Sequence, residues 1–130
     1  MRNISLSNAK ILVIDDSKLN RTVIRKTLSE LNFSVDEAED GESGLERSLS
    51  EKFDIIFVDT VMPKMDGIDF IKEIKSKKRN DFIPLVLMTG NDDLNAKIKG
   101  LNIGADDFLQ KPINQKELVA RTMSLLRLKR

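Results

Sequence analysis

The sequence predicts a three-layer α/β fold, with a parallel sheet covered by helices on both faces. Three short apolar runs, Ile11 to Ile14, Ile55 to Val58 and Ile83 to Met88, have the length and continuity of strands buried on both sides. Segments of helical period separate them, and such alternation implies right-handed β-α crossovers. At 130 residues the chain has the size of one domain able to bury a core without staples.

Taken in order, the first strand is Ile11 to Ile14. A helix follows with Leu19, Val23, Leu28 and Leu31 on one face and Ser17 as N-cap. A shorter extended stretch lies near Phe33 to Glu37. Gly41 to Ser50 reads as a helix that Asp40 can cap, and Ile55 to Val58 as the next strand. Gly67 to Lys75 is a helix capped by Asp66, and Ile83 to Met88 a strand. Leu94, Ile98 and Leu101 mark a fourth helical face, and Phe108-Leu109 a weak fifth strand. Leu118, Thr122, Leu125 and Leu126 mark the last helix, with Asn114 as its cap.

The chain 1–130 is expected to be one domain, with 1–8 a loose lead-in. It shows no repeat or low-complexity tract. The densest basic run, Lys72 to Asn80, reads as a solvated helix end whose cations favour the C-terminal dipole. With 22 Lys and Arg against 21 Asp and Glu, the net charge of +1 exerts no general pull on nucleic acid or membrane. No apolar stretch is long enough to span a bilayer, and "MRNISLSNAK" lacks the apolar core of a signal peptide, so a cytoplasmic location is expected. Without Cys or His, chemistry falls to carboxylates, hydroxyls and amines.

The polar residues that end the apolar runs carry the function. Ile14 is followed by Asp15 and Asp16, Val58 by Asp59, Met88 by Thr89, and Lys111 follows the fifth strand. Parallel strands share a direction, so these groups meet at one edge of the sheet, where α/β folds bind ligands. Three carboxylates packed together repel, and Lys111 supplies only one opposing charge. A hard divalent cation can supply the rest; Mg²⁺ suits one or two carboxylates, a carbonyl, waters and a phosphoryl oxygen. Beside such an ion a carboxylate can attack phosphorus to give an acyl phosphate, with a hydroxyl and an ammonium to hold its oxygens. Singly, Asp15-Asp16 could be a turn, Thr89 a cap and Lys111 a surface lysine; jointly they describe one phosphoryl site.

With these residues the chain resembles the receiver domain of bacterial two-component response regulators, including chemotaxis receivers, from Lys10 to about Leu128. The resemblance implies the flavodoxin-like (βα)5 doubly wound sheet with strand order 2-1-3-4-5. It implies that Asp59, in "VDTVMPKMDG", is the phospho-acceptor, that Asp16 contacts Mg²⁺ directly and Asp15 mainly through water, and that the Val61 carbonyl completes the metal's protein ligands. Thr89 in "LMTGND" and Lys111 in "QKP" match the hydroxyl and lysine that engage the phosphoryl group, and Lys111-Pro112 is expected to be cis. Phe108 falls at the switch aromatic, though an ordinary core role also fits it.

The donor implied is a phosphohistidine on a sensor histidine kinase or a histidine phosphotransfer protein, or a small phosphodonor. The output implied is a remodelled face of fourth helix, fifth strand and fifth helix, read by an output domain or downstream protein. Lys97, Asp107, Glu117 and Arg121 resemble charged positions through which one branch of the family forms homodimers; surface solvation explains them as well. "ARTMSLLRLKR" is similar to receivers that continue into an output domain. The domain itself is expected to bind neither nucleic acid nor membrane and not to be an enzyme.

Two rivals share parts of this pattern. A phosphatase of the haloacid dehalogenase type also joins Asp, Mg²⁺, Thr and Lys, but needs an acid where this chain has Val61. A degenerate receiver acting as a constitutive interaction module fits poorly with a complete set of Asp15, Asp16, Asp59, Thr89 and Lys111. Val61 and Asn91, two residues past Asp59 and Thr89, flank the path of hydrolytic water and suggest an intermediate phosphoryl lifetime.

Overall fold

A computed structural model of the chain describes residues 8–77, 82–90 and 93–129. Five strands, β1 (Lys10–Ile14), β2 (Ser34–Ala38), β3 (Ile55–Asp59), β4 (Leu85–Thr89) and β5 (Asp107–Gln110), alternate with five helices. The helices are α1 (Lys18–Ser29), α2 (Gly41–Ser50), α3 (Gly67–Ser76), α4 (Leu94–Ile103) and α5 (Gln115–Lys129). The strands pair in parallel in the order β2-β1-β3-β4-β5, as the resemblance implied. The order reverses at β1, so a crevice opens between the C-terminal ends of β1 and β3.

Alternation along each strand sends side chains to two separate cores. Ile11, Val13, Phe57, Val86, Met88 and Leu109 pack beneath Ile24 and Leu28 of α1 and Leu118, Leu125 and Leu126 of α5. Leu12, Ile14, Ile56, Val58, Leu85 and Leu87 pack beneath Phe70, Ile71 and Ile74 of α3. On that side α2 sits close because Gly44 leaves room for Ile14: a Cβ at Gly44 would fall 2.8 Å from Ile14 Cγ1.

Every expected strand and helix is present, with shifted edges. β4 starts at Leu85 rather than Ile83, since Pro84 has no N–H for the ladder. β2 begins after Phe33, whose N–H donates to Leu28 O and closes the end of α1. Ser17, Asp40, Asp66 and Asn114 accept N–H bonds at their helix starts, as expected.

Part of the apolar stripe expected on α1, and all of that expected on α4, faces water rather than the core. On α1, Leu19 is 73% exposed and Leu31 lies past the helix end, while the face that packs is Ile24 and Leu28. On α4, Leu94, Ile98 and Leu101 are 65, 48 and 60% exposed. The residues that α4 buries are Ala96 and Gly100, because a Cβ at Gly100 would come 2.8 Å from Leu87 Cδ2 on the strand below. Only small side chains fit this seam, so the larger ones point outward.

The edge strand β2 is covered by charge. Arg21 and Arg25 of α1 pair with Glu37, while Arg47 of α2 pairs with Asp36 and Glu51. Of the basic run Lys72 to Asn80, residues 78–80 lie outside the described residues, as do 1–7 of the lead-in and Asn91.

Candidate functional site

β1 leaves the sheet at Asp15, whose N–H donates to Ala38 O of β2 at 3.1 Å. The Asp15 carboxylate is fully buried. Its Oδ1 accepts the Ser17 N–H at 2.9 Å and its Oδ2 the Asn20 amide at 3.3 Å, turning the chain from strand into helix. Asp15 is therefore both a turn residue and a member of the acidic group. Asp16, the next residue, is exposed, and its carboxylate has no hydrogen-bond or ion-pair partner among the described residues.

β3 ends at Asp59, which is also buried. The loop behind it is tied down: the Thr60 N–H and hydroxyl both donate to Met88 O, at 2.9 and 2.8 Å, and the Gly67 N–H donates to Thr60 O at 3.0 Å. Gly67 is required at the start of α3, since any Cβ there would run into the Asp59 carbonyl. A reciprocal capping box between Asp66 and Asp69 fixes that helix start. The Val61 N–H donates to Asp59 Oδ1 at 3.4 Å, while the Val61 side chain faces solvent.

Asp15, Asp16 and Asp59 bring one carboxylate oxygen each within 4.8 Å of one another. Lys111 Nζ lies 2.9 Å from Asp59 Oδ1 and 3.4 Å from Asp15 Oδ2. Burial, with the charge of Asp15 beside it, pushes the Asp59 carboxyl up to about 6 against the pull of Lys111. Burial alone lowers the lysine's affinity for its proton, but the contacts with Asp59 and Asp15 outweigh it and hold the ammonium above its usual range. One ammonium thus leaves three carboxylates under-compensated. The oxygen-only donor set and residual negative charge fit Mg²⁺, with Asp15, Asp16 and Asp59 as the groups that would hold it.

Thr89 ends β4 fully buried, and its Oγ1 has no hydrogen-bond partner among the described residues. A buried hydroxyl without a partner is costly and unusual. The Lys111 N–H donates to Thr89 O at 2.7 Å, which ties the two together, and the Lys111-Pro112 bond is cis. Phe108 sits across from Leu87 in the ladder, half-buried, with its ring near Gly100 of α4.

On the outer face Arg121 Nη1 bonds both Asp107 oxygens, at 3.0 and 3.1 Å, and its Nη2 reaches Glu117 at 3.5 Å. Lys97, also expected on that face, lies on α4 and makes no ion pair among the described residues. The acidic group, Thr89 and Lys111 are thus brought together at one sheet edge, and Lys97 stands apart from the Asp107-Glu117-Arg121 cluster. Asn20, Arg21 and Thr60 are the neighbours that pattern reading did not single out, because long side chains and loop hydroxyls leave no periodic trace.

Comparison with known proteins agrees with this geometry. Residues 11–123 match the family model of the response regulator receiver domain. Response regulator MprA of Mycolicibacterium vanbaalenii is 36% identical over 118 residues, 91% of this chain and 50% of its own length. The alkaline phosphatase synthesis transcriptional regulatory protein PhoP of Bacillus subtilis is 37% identical over 120 residues, 92% of this chain and 49% of its own length. The chain therefore spans about half the length of these curated relatives. Among solved structures, the receiver domain of Francisella response regulator 1452 superposes with a TM-score of 0.86 at 32% identity, covering 95% of this chain and all of its own. On sequence and on fold alike, the chain belongs to the response regulator receiver domain family and is a receiver of two-component signal transduction.

Proposed function

We propose that Asp59 is the phospho-acceptor and that its modification switches the outer face of α4, β5 and α5. The supporting observation is the meeting of Asp15, Asp16 and Asp59 within 4.8 Å, with Lys111 2.9 Å from Asp59 and, at the end of the neighbouring strand, a Thr89 hydroxyl without a partner among the described residues. An oxygen of the Asp59 carboxylate attacks phosphorus, the P–N bond to a donor imidazole breaks, and an acyl phosphate remains on Asp59. Bound Mg²⁺ supplies neutralisation of carboxylate and phosphoryl charge. Lys111 pairs with a phosphoryl oxygen, and the Thr89 hydroxyl gains the acceptor it lacks.

The donor is a phosphohistidine on a sensor kinase or phosphotransfer protein acting in the cytoplasm, or a small phosphodonor. Movement of Thr89 lets Phe108 repack against α4, which alters the surface offered by Lys97, Asp107, Glu117 and Arg121 to an output domain, a downstream protein or a second copy. The exposed Val61, placed two residues past Asp59, offers no acid for a phosphatase cycle, so no turnover of external phosphoesters is expected. Labelling with acetyl phosphate in Mg²⁺, read on a phosphate-affinity gel, tests the reading. Label should appear on the parent and vanish in Asp59→Asn and in EDTA; equal label in Asp59→Asn would refute it.

A further inference from the structure

Asp16 is the one member of the acidic group with no side-chain partner among the described residues. With no partner to hold its side chain, its carboxylate takes its origin and direction from its backbone, and the peptide that joins it to Asp15 has a specific anchor. Arg21 Nη1 donates to the Asp15 carbonyl at 2.7 Å, while Nε of the same guanidinium pairs with Glu37 Oε1 at 3.0 Å on the edge strand. The Arg21 side chain is only 12% exposed. The Asp15 N–H is held by Ala38 O of that strand. Arg21 therefore spans from the first turns of α1 across the end of β1 to β2, and fixes the plane from which Asp16 projects.

We infer that Arg21 is a positioning residue that sets the Mg²⁺ affinity of the acidic pocket by orienting the Asp15-Asp16 peptide, with Glu37 as its support. The inference rests on the metal reading given above. Arg25 provides an internal contrast: it pairs with the other oxygen of Glu37 at 2.7 Å, but it is 43% exposed and makes no bond to the Asp15 carbonyl. If the role of Arg21 were only to cover the edge strand, the two arginines would be equivalent.

The sign of the effect separates positioning from charge. Removing a cation beside an acidic pocket strengthens cation binding by Coulomb attraction alone. Loss of orientation weakens it. Substitution of groups that orient metal ligands commonly costs roughly 10- to 100-fold in affinity. Arg21→Lys retains the charge but loses the planar fork that reaches two acceptors at once.

The test is calorimetric titration of Mg²⁺ into the parent, Arg21→Ala, Arg21→Lys and Arg25→Ala, with unfolding midpoints in EDTA measured alongside. Arg21→Ala and Arg21→Lys should each weaken binding by roughly 10-fold or more, and Arg25→Ala should stay within about twofold of the parent. Should Arg21→Ala fail to fold, Arg21→Lys decides. In the parent, the Arg21 Nε–H resonance should shift on Mg²⁺ addition and that of Arg25 should not; two unmoved resonances count against the inference whatever the variants do. Unchanged or tighter binding by both Arg21 variants, or equal weakening by Arg25→Ala, overturns it while leaving the metal site standing. A parent that takes up no Mg²⁺ overturns the metal site and this inference together.

Discussion

The Lys111 ammonium sits 2.9 Å from Asp59 and 3.4 Å from Asp15, a single cation between two buried carboxylates. Removing it leaves both uncompensated. Lys111→Ala should lower stability at pH 7 by roughly 3 kcal/mol in urea unfolding without metal, the usual cost of breaking a buried pair from one side. Mg²⁺ should recover part of that loss. A variant as stable as the parent in EDTA would mean that the carboxylates are compensated by other means.

Asp59 titrates about 6, above its ordinary value of 3.8, because it is buried beside Asp15. The native state therefore holds a proton that the unfolded chain has released between about pH 4 and 6. Stability from this group is present below that window and is lost as pH rises through it. Asp59→Asn should accordingly unfold at higher urea than the parent at pH 7, by about 1 kcal/mol, with the difference shrinking toward pH 4. Metal binding runs the other way, since protonation of Asp59 removes a ligand; calorimetric Mg²⁺ affinity of the parent should fall as pH drops below about 6.

Asp15 and Asp16 part company once their surroundings are known. Sequence reasoning treats them alike, as two members of one repelling acidic group. Asp15, however, accepts from Ser17 and Asn20 and receives Lys111, whereas Asp16 is exposed and without a partner among the described residues. Asp16→Ala should leave the unfolding midpoint within about 0.5 kcal/mol, and Asp15→Ala should cost about 1–3 kcal/mol through the orphaned turn. Both should abolish Mg²⁺-dependent labelling. Equal stability of the two variants would deny Asp15 its structural role.

At Gly67 the backbone of α3 touches the backbone of Asp59. Gly67→Ala must push the two apart, displacing the Asp59 carbonyl or Leu87. The expected result is a loss of about 1–3 kcal/mol with a marked fall in acetyl phosphate labelling rate. Full-rate labelling by a stably folded Gly67→Ala would show that the site tolerates movement of its main chain.

The outward stripe on α4 should be energetically silent in the monomer. Replacing Leu94, Ile98 and Leu101 together by Ser should change stability by less than about 1.5 kcal/mol, while Leu118→Ala alone should cost about 2–5 kcal/mol. A large loss from the triple variant would mean that these side chains are covered in solution, which sedimentation would then reveal.

Strand and helix identity was legible because the central strands are uninterrupted apolar runs, Ile11–Ile14 and Ile55–Val58, which only a two-sided burial explains. The site was legible because strand ends must converge, whatever the loops do. Orientation of helical faces was less so: Leu19 and the α4 stripe obey the helical period as well as Ile24 or Leu118 do, and period alone cannot say which side of a helix meets the sheet. The lattice of bonds around Asp15 was hidden for a different reason. Asn20 and Arg21 reach it by side-chain length, and nothing in their spacing distinguishes them from ordinary helix-surface residues. Ser17 was visible as a cap, but its own N–H bond to Asp15 follows from the turn, not from composition.

Ala96 and Gly100 give α4 a nearly smooth underside. Interlocked helices must lift their side chains out of sockets before they can shift, but a helix whose only large inward contact is Ile103 at its end has less to disengage. Its amides should exchange with solvent ahead of those of α3, which is pinned by Phe70, Ile71 and Ile74. The element adjoining Phe108 thus rests on a bearing surface, beside an α3 held by interlocking side chains.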